Sequence, residues 1–224
     1  MKKILLFAFA LLFLSVSNLV SGDRMVLVER FTSSTCPPCA SNNPIMDAFL
    51  NSVDADKIVG ISYHMNWPAP GNDPMYAYNQ GDNNARRSFY GINSIPEARM
   101  DGLIIVLPPY SQPTLQSFFD SRTNLLSPVT VVVTDSTFGD SVRVRARIYC
   151  EIMLTNPNAI LHFAVVENHI HYAVPPGTNG ETDFYDVMRK MMPNGNGSAI
   201  TLYPGQTYTI DRTYYKDAVA AKRN

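Results

Sequence analysis

The chain has 224 residues, with 18 Lys and Arg against 19 Asp and Glu, and a formal net charge of −1. This balance excludes the strongly basic surface typical of nucleic-acid-binding proteins, so we expect no nucleic-acid partner. There are three cysteines, which is too few and an odd number for a scaffold stapled by disulfides. A close pair and one distant cysteine fit a redox site better.

The first 22 residues have the pattern of a secretory signal peptide. Lys2 and Lys3 give a positive start, residues 4–14 are apolar, and small residues follow at 20–22. The apolar core is short for a bilayer span, which counts against the alternative of a membrane anchor. Cleavage leaves 16 basic and 19 acidic residues, a charge of −3. We therefore expect an exported protein of the periplasm, outer membrane or cell surface, with no transmembrane span after signal removal.

Cys36 and Cys39 follow a short apolar segment and open a helical pattern. Residues 26–31 are apolar and β-branched, as in a strand buried on both faces. Residues 41–50 carry apolar side chains at helical spacing. The thiolate is the nucleophile in disulfide exchange, and a helix N-terminus stabilises it. The spacing and its setting therefore predict a redox dithiol.

Zinc sites also use this cysteine spacing, but zinc normally needs a second pair or two suitably placed histidines. The four histidines, His64, His162, His169 and His171, are scattered along the chain. We therefore expect no metal and no other cofactor. Cys150 lies on the apolar side of a strand pattern and is interpreted as a core residue.

Residues 23–126 alternate strand and helix patterns, which predicts an α/β domain. After the dithiol we expect a strand at 57–64, a loop at 67–73 and a helix from 73 to 90. A short strand then precedes an Asp101-Gly102 hairpin turn into residues 103–107. Ser111 is a candidate N-cap for a helix over 113–126.

Residues 127–224 predict a second, all-β domain, an immunoglobulin-like antiparallel sandwich. The predicted strands cover 129–134, 141–153, 160–166, 170–172, 200–203 and 207–210. Residues 182–192 place four apolar side chains on one helical face and predict a helical insertion. No closing strand follows at the C-terminus, which indicates either an irregular sandwich or a missing end.

The sequence Cys36-Pro37-Pro38-Cys39 after an apolar strand, together with Ile95-Pro96 ahead of another strand, resembles the thioredoxin superfamily over roughly residues 25–126. The resemblance implies that Pro96 is cis and faces the dithiol. It also implies that the Ile95 backbone presents itself to an extended substrate strand.

The order of signal peptide, thioredoxin-like domain and β-rich domain is also similar to the twenty-eight-kilodalton outer-membrane-protein family. The residues that carry this closer resemblance are Phe31-Thr32, Tyr63-His64 and the segment 187–193.

Two features depart from the superfamily pattern. Thr35 stands where an aromatic residue usually precedes the first cysteine. The buried acid of thioredoxins has its nearest counterpart in Glu29, one position further from the cysteine. Glu29 is either the proton acceptor for Cys39 or a charged residue paired with Arg30 or Arg99.

The two prolines between the cysteines have no N–H group. They leave the Cys39 N–H and the helix dipole to stabilise a Cys36 thiolate. We therefore expect milder stabilisation than in a motif with free amides, which disfavours a strongly oxidising potential.

These features predict a thiol–disulfide oxidoreductase that acts on protein thiols and disulfides with an unidentified redox partner. Cys36 is the expected exposed nucleophile and Cys39 the resolving cysteine, with Ile95, Pro96 and Glu29 completing the candidate site. Two alternatives remain open. One is a non-enzymatic envelope binding protein with a structural Cys36–Cys39 bridge, and the other is a metal chaperone that uses the dithiol and His64.

Overall fold

The computed structural model describes residues 24–216, so the predicted signal peptide lies outside the described residues. Within this range the chain forms four helices and eleven strands, and no helix there is long and apolar enough to cross a membrane. In chain order they are β1 (Val26–Thr32), α1 (Pro37–Ser52), β2 (Ile58–His64), α2 (Pro74–Tyr78), α3 (Gln80–Tyr90), β3 (Glu97–Met100), β4 (Ile104–Val106), α4 (Gln112–Thr123), β5 (Val129–Phe138), β6 (Ser141–Cys150), β7 (Asn158–Leu161), β8 (Phe163–His171), β9 (Asp183–Met192), β10 (Ser198–Thr201) and β11 (Thr207–Tyr215).

The main sheet has six strands in the order β4-β3-β1-β2-β9-β8. β1 and β2 are parallel, β3 is antiparallel to β1, and β4 is antiparallel to β3. The β3–β4 hairpin turns at Asp101 and Gly102, with φ of 50° and 68°, as the Asp-Gly pair predicts. This strand order, with a helix between the parallel strands, is thioredoxin-like and confirms that part of the expected fold.

One face of the sheet carries α1 and α4. Met46 and Phe49 of α1 pack on Val26 and Val28 of β1, and Phe119 of α4 completes the cluster. Each fully buried side chain of this kind contributes about 1.5–3 kcal/mol. The packing fixes α1 on the sheet and so determines where the dithiol at its first turn lies.

The single helix predicted over 73–90 is two helices, α2 and α3, separated at Asn79. The backbone of Asn79 is non-helical, with φ of −147°, and its side chain accepts the Asp82 N–H as the cap of α3. Asn favours this capping role over a place inside a helix because its side chain competes for backbone hydrogen bonds.

The helical insertion predicted at 182–192 is wrong, because this segment is β9. It pairs parallel with β2 and antiparallel with β8, and the register shifts between Val165 and Val166. Val187, Met188 and Arg189 are consecutive buried residues. A strand covered on both faces shows no alternation, so its apolar residues fell by chance at helical spacing.

The remaining strands form an all-β region with a three-stranded sheet, β11-β6-β5, and a two-stranded sheet, β10-β7. Cys150 is fully buried in its core, as expected. The immunoglobulin-like form of this region stays a prediction, as does the division at residue 126. Strands β8 and β9 lie beyond that division, yet they pair into the thioredoxin-like sheet.

Candidate functional site

The dithiol lies at the N-terminus of α1, where Cys36 is the N-cap residue. Cys36 and Cys39 form a disulfide. The Cys39 N–H donates to Cys36 Sγ at 3.1 Å. Pro37 and Pro38 occupy the first two helical positions. The capping side chain normally accepts from the second or third helical N–H, so here only the third, that of Cys39, is available.

The Ile95-Pro96 segment faces this disulfide. The peptide bond between the two residues is cis, and the Ile95 carbonyl oxygen lies 3.8 Å from Cys36 Sγ. Pro96 is buried and Ile95 partly exposed. The structure thus brings together four of the five residues predicted for the site, Cys36, Cys39, Ile95 and Pro96, from two separated motifs.

The expectation that Cys36 is exposed is wrong for this oxidised state. Cys36 is 1% exposed and Cys39 is fully buried, whereas Pro37 and Pro38 are exposed at the tip of the helix. The turn that precedes them, Ser33 to Thr35, is also buried, and two other parts of the chain form hydrogen bonds with its backbone.

Asp73 binds this turn from one side. Its Oδ2 accepts the Ser34 N–H at 2.7 Å and lies 2.8 Å from His64 Nδ1. Its Oδ1 accepts the N–H groups of Met75 and Tyr76 at the start of α2. Burial raises the pKa of Asp73, but His64 and the N–H donors outweigh it and hold the pKa below 3.8. The sequence marks Asp73 only as a helix start and gives no sign of its bond to the dithiol turn.

A second segment binds the turn from the other side. We call residues 173–182, which connect β8 to β9, the strap. The Asn179 N–H donates to the Ser34 carbonyl at 3.0 Å, and Asn179 Nδ2 donates to the carbonyls of Ser33 and Cys36 at 3.1 and 3.3 Å. Glu181 Oε1 accepts from Asn43 of α1 at 2.8 Å. Burial raises the pKa of the Glu181 carboxyl despite its bonds to Asn43 and Asn179.

Glu29 is not part of this site. It is 1% exposed and accepts hydrogen bonds from Arg86, Tyr63 and Tyr90. Alternation along β1 turns its side chain to the face that carries α3, away from α1. The neighbouring Arg30 faces α1 instead. The hypothesis that Glu29 accepts the Cys39 proton is therefore wrong in this geometry, and its ion-pair partner is Arg86 rather than Arg30 or Arg99.

Three of the four histidines lie beside a carboxylate. His64 is 1% exposed and paired with Asp73. His169 and His171 both contact Asp183 on the surface of β8 and β9, at 2.8 and 2.9 Å. Among residues 24–216, no group of three or more His, Cys, Asp or Glu side chains is arranged to hold a metal ion.

A known structure shares the fold. No family model and no curated protein matches the sequence. The solved structure of HBP35 of Porphyromonas gingivalis has a TM-score of 0.64 and 14% sequence identity, covering 86% of this chain and 64% of that one. The chain thus spans less than two thirds of HBP35. Tryparedoxin I from Leishmania major has a TM-score of 0.32 and 18% identity, covering 47% of this chain and 80% of that one. At these identities the likeness to HBP35 shows the fold alone.

The proline arrangement yields a first test. Pro38→Ala restores an N–H at the second helical position, where it can donate to Cys36 Sγ. We expect the pKa of Cys36 in the reduced protein to fall by about one unit, since a hydrogen bond to a charged group stabilises it. Thiolate absorbance against pH measures this. Pro37→Ala is the matched control, because the first helical N–H does not point at the cap. Equal shifts in both variants would contradict the assignment.

Glu29 gives a second test. Glu29→Gln leaves Arg86 buried beside a neutral amide, and we expect about 3 kcal/mol of lost stability in urea unfolding. The pH profile of Cys36–Cys39 reduction should keep its shape, because Glu29 faces away from the dithiol. A shift of this pH profile in Glu29→Gln would contradict the assignment and would support Glu29 as the proton acceptor for Cys39.

Asp73 gives a third test. Its lowered pKa means that its stabilising effect is fully present above pH 3.8 and is lost as the pH falls through the folded-state pKa. Asp73→Asn should therefore cost about 2 kcal/mol at pH 7, with the difference from wild type shrinking below pH 3.8. Urea unfolding between pH 7 and pH 2 measures it, with Asp120→Asn on the exposed face of α4 as control. A pH-independent difference would contradict the account.

Proposed function

We propose that the protein is an extracytoplasmic thiol–disulfide oxidoreductase that acts on protein thiols and disulfides. The observation that carries this proposal is the position of Cys36 Sγ. It lies at a helix N-terminus, accepts the Cys39 N–H and faces the Ile95 carbonyl. This arrangement stabilises a thiolate and leaves a backbone edge beside it, which is the chemistry that disulfide exchange needs.

The proposed reaction runs through a mixed disulfide. In the reduced protein the Cys36 thiolate attacks one substrate sulfur, and the other substrate sulfur leaves as a thiolate. Cys39, one turn along α1, then attacks Cys36 Sγ and releases the second substrate sulfur. The substrate gains two electrons and two protons, and Cys36 and Cys39 become the disulfide present in the structure. A partner dithiol, not yet identified, must return two electrons, and no metal or organic cofactor is needed.

A second candidate is a binding protein of the cell envelope in which Cys36–Cys39 is a permanent structural bridge. One observation favours it: Cys36 is 1% exposed and Cys39 fully buried. A bridge that no partner reaches would give the same geometry. The two functions differ in whether the disulfide turns over.

Export and the closer family resemblance are also part of the proposal. The signal-peptide pattern at residues 1–22 supports a periplasmic, outer-membrane or cell-surface location. The segments Phe31-Thr32, Tyr63-His64 and 187–193 support membership of the twenty-eight-kilodalton outer-membrane-protein family. We propose that the all-β region, as an immunoglobulin-like module, docks or holds the substrate.

Insulin reduction in the presence of dithiothreitol tests the function. We expect the wild-type protein to accelerate insulin precipitation, and Cys36→Ala and Cys39→Ala to lose the acceleration because each lacks half of the dithiol. Cys150→Ala is the matched control, since Cys150 is a buried cysteine outside the site. A wild-type rate equal to that of Cys36→Ala, with the bridge intact under dithiothreitol, would favour the structural bridge instead.

A further inference from the structure

The strap, residues 173–182, contacts the dithiol turn through the backbone of the turn. Asn179 donates to the carbonyl oxygens of Ser33, Ser34 and Cys36. Gly177 lies so close to Ser34 that an added Cβ would be 2.1 Å from the Ser34 carbonyl oxygen. These contacts come from a segment of the chain about 140 residues away from the turn and include a direct hydrogen bond to Cys36.

Hydrogen bonds, rather than apolar packing, hold the strap in place. The two ends of the strap are joined by the hydrogen bond from the Tyr172 N–H to the Thr182 carbonyl, at 2.9 Å. The Glu181 carboxylate accepts from Asn43 and so binds the strap to α1. Its outer residues are exposed, and Val174, its one large apolar side chain, is 74% exposed. A segment held by hydrogen bonds, with little buried apolar surface, opens at a lower free-energy cost than the core.

We propose that the strap is a latch on the dithiol. In the closed state, which this structure shows, the strap fixes the backbone of residues 33–36 and keeps an attacking thiol from the Cys36 sulfur. Open, it releases the Cys36 carbonyl and the turn, so that a partner thiolate reaches Cys36 Sγ. This inference rests on the proposed redox function and adds its regulation: disulfide exchange requires strap opening, and Gly177 and Asn179 set the closed fraction.

Two strap variants test the latch by different physical means. Gly177→Ala forces the strap away from Ser34 through the Cβ contact, because the obstructing atoms include the backbone carbonyl group of Ser34. Asn179→Ala removes the side-chain hydrogen bonds to Ser33 and Cys36, and those to Glu181 within the strap, without adding bulk. In each, we expect dithiothreitol to reduce Cys36–Cys39 about tenfold faster than in wild type, the effect of losing about one net hydrogen bond from the closed state. Each reduction transfers two electrons and two protons from dithiothreitol, which closes to its own disulfide.

Gly195→Ala is the matched control. Its Cβ would lie 2.4 Å from the Ala85 Cβ, so it disturbs the loop after β9 with a similar clash, away from the dithiol. We expect a reduction rate close to wild type. Quenching with iodoacetamide and counting alkylated cysteines by mass spectrometry gives the rates, and circular dichroism confirms that each variant is folded.

The outcomes separate the latch from the proposed function. Faster reduction in a folded strap variant, with the control unchanged, supports the latch even if insulin turnover is absent, in which case only the oxidoreductase proposal fails. Wild-type rates in folded Asn179→Ala overturn the latch, whatever the insulin result and whether or not Gly177→Ala folds. Equal acceleration in Gly195→Ala also overturns it, because general loosening would then explain the effect.

Discussion

The hydrogen bond from the Cys39 N–H to Cys36 Sγ is the interaction on which the chemistry of this site depends. Pro37 and Pro38 remove the other donors of the first helical turn, so α1 gives the sulfur one amide and its dipole. A Cys36 thiolate is therefore stabilised, but less than at a helix N-terminus with free amides. Since strong oxidants are those whose reduced form is stabilised, we expect the proposed exchange to run at a moderate or reducing potential.

The position of that sulfur is set by contacts to the preceding turn. Asp73 holds Ser34 through its N–H, and Asn179 holds the same residue through its carbonyl oxygen. One peptide segment is thus fixed from two sides by groups that are remote in sequence. Both cysteines and the turn are buried. In the latch that we propose, the strap controls access to the Cys36 sulfur, while the N-terminus of α1 controls its reactivity.

The sequence predicts those features of the structure that depend only on neighbouring residues. The Asp101-Gly102 turn, the Ser111 cap and the buried Cys150 follow from neighbouring residues and agree with the structure. The side of the sheet that Glu29 faces was not predictable, because alternation along β1 tells which residues share a face but not which face meets α1. The apolar residues of β9 are typical of a helix in sequence, because burial on both faces of this strand removes the usual alternation.

The contacts of the strap with the dithiol turn could not be predicted from the sequence. Its contacts with Ser33 and Cys36 span 146 and 143 residues and use backbone carbonyls, which no side-chain pattern records. Gly177 and Asn179 are residue types common in any surface turn. Only the assembled sheet, with β8 and β9 beside β2, shows that the strap contacts the backbone of the dithiol turn.

The measurement that most directly tests the account is the trapping of a mixed disulfide on one named sulfur. Reduced Cys39→Ser protein, incubated with two peptides joined by one disulfide, should retain one peptide on Cys36 and release the other as a thiol, as seen by mass spectrometry and reversed by dithiothreitol. Reduced Cys36→Ser protein should retain none. If neither folded variant forms the adduct, or if Cys39 captures the peptide as readily as Cys36, the account of Cys36 as the exchanging sulfur is contradicted.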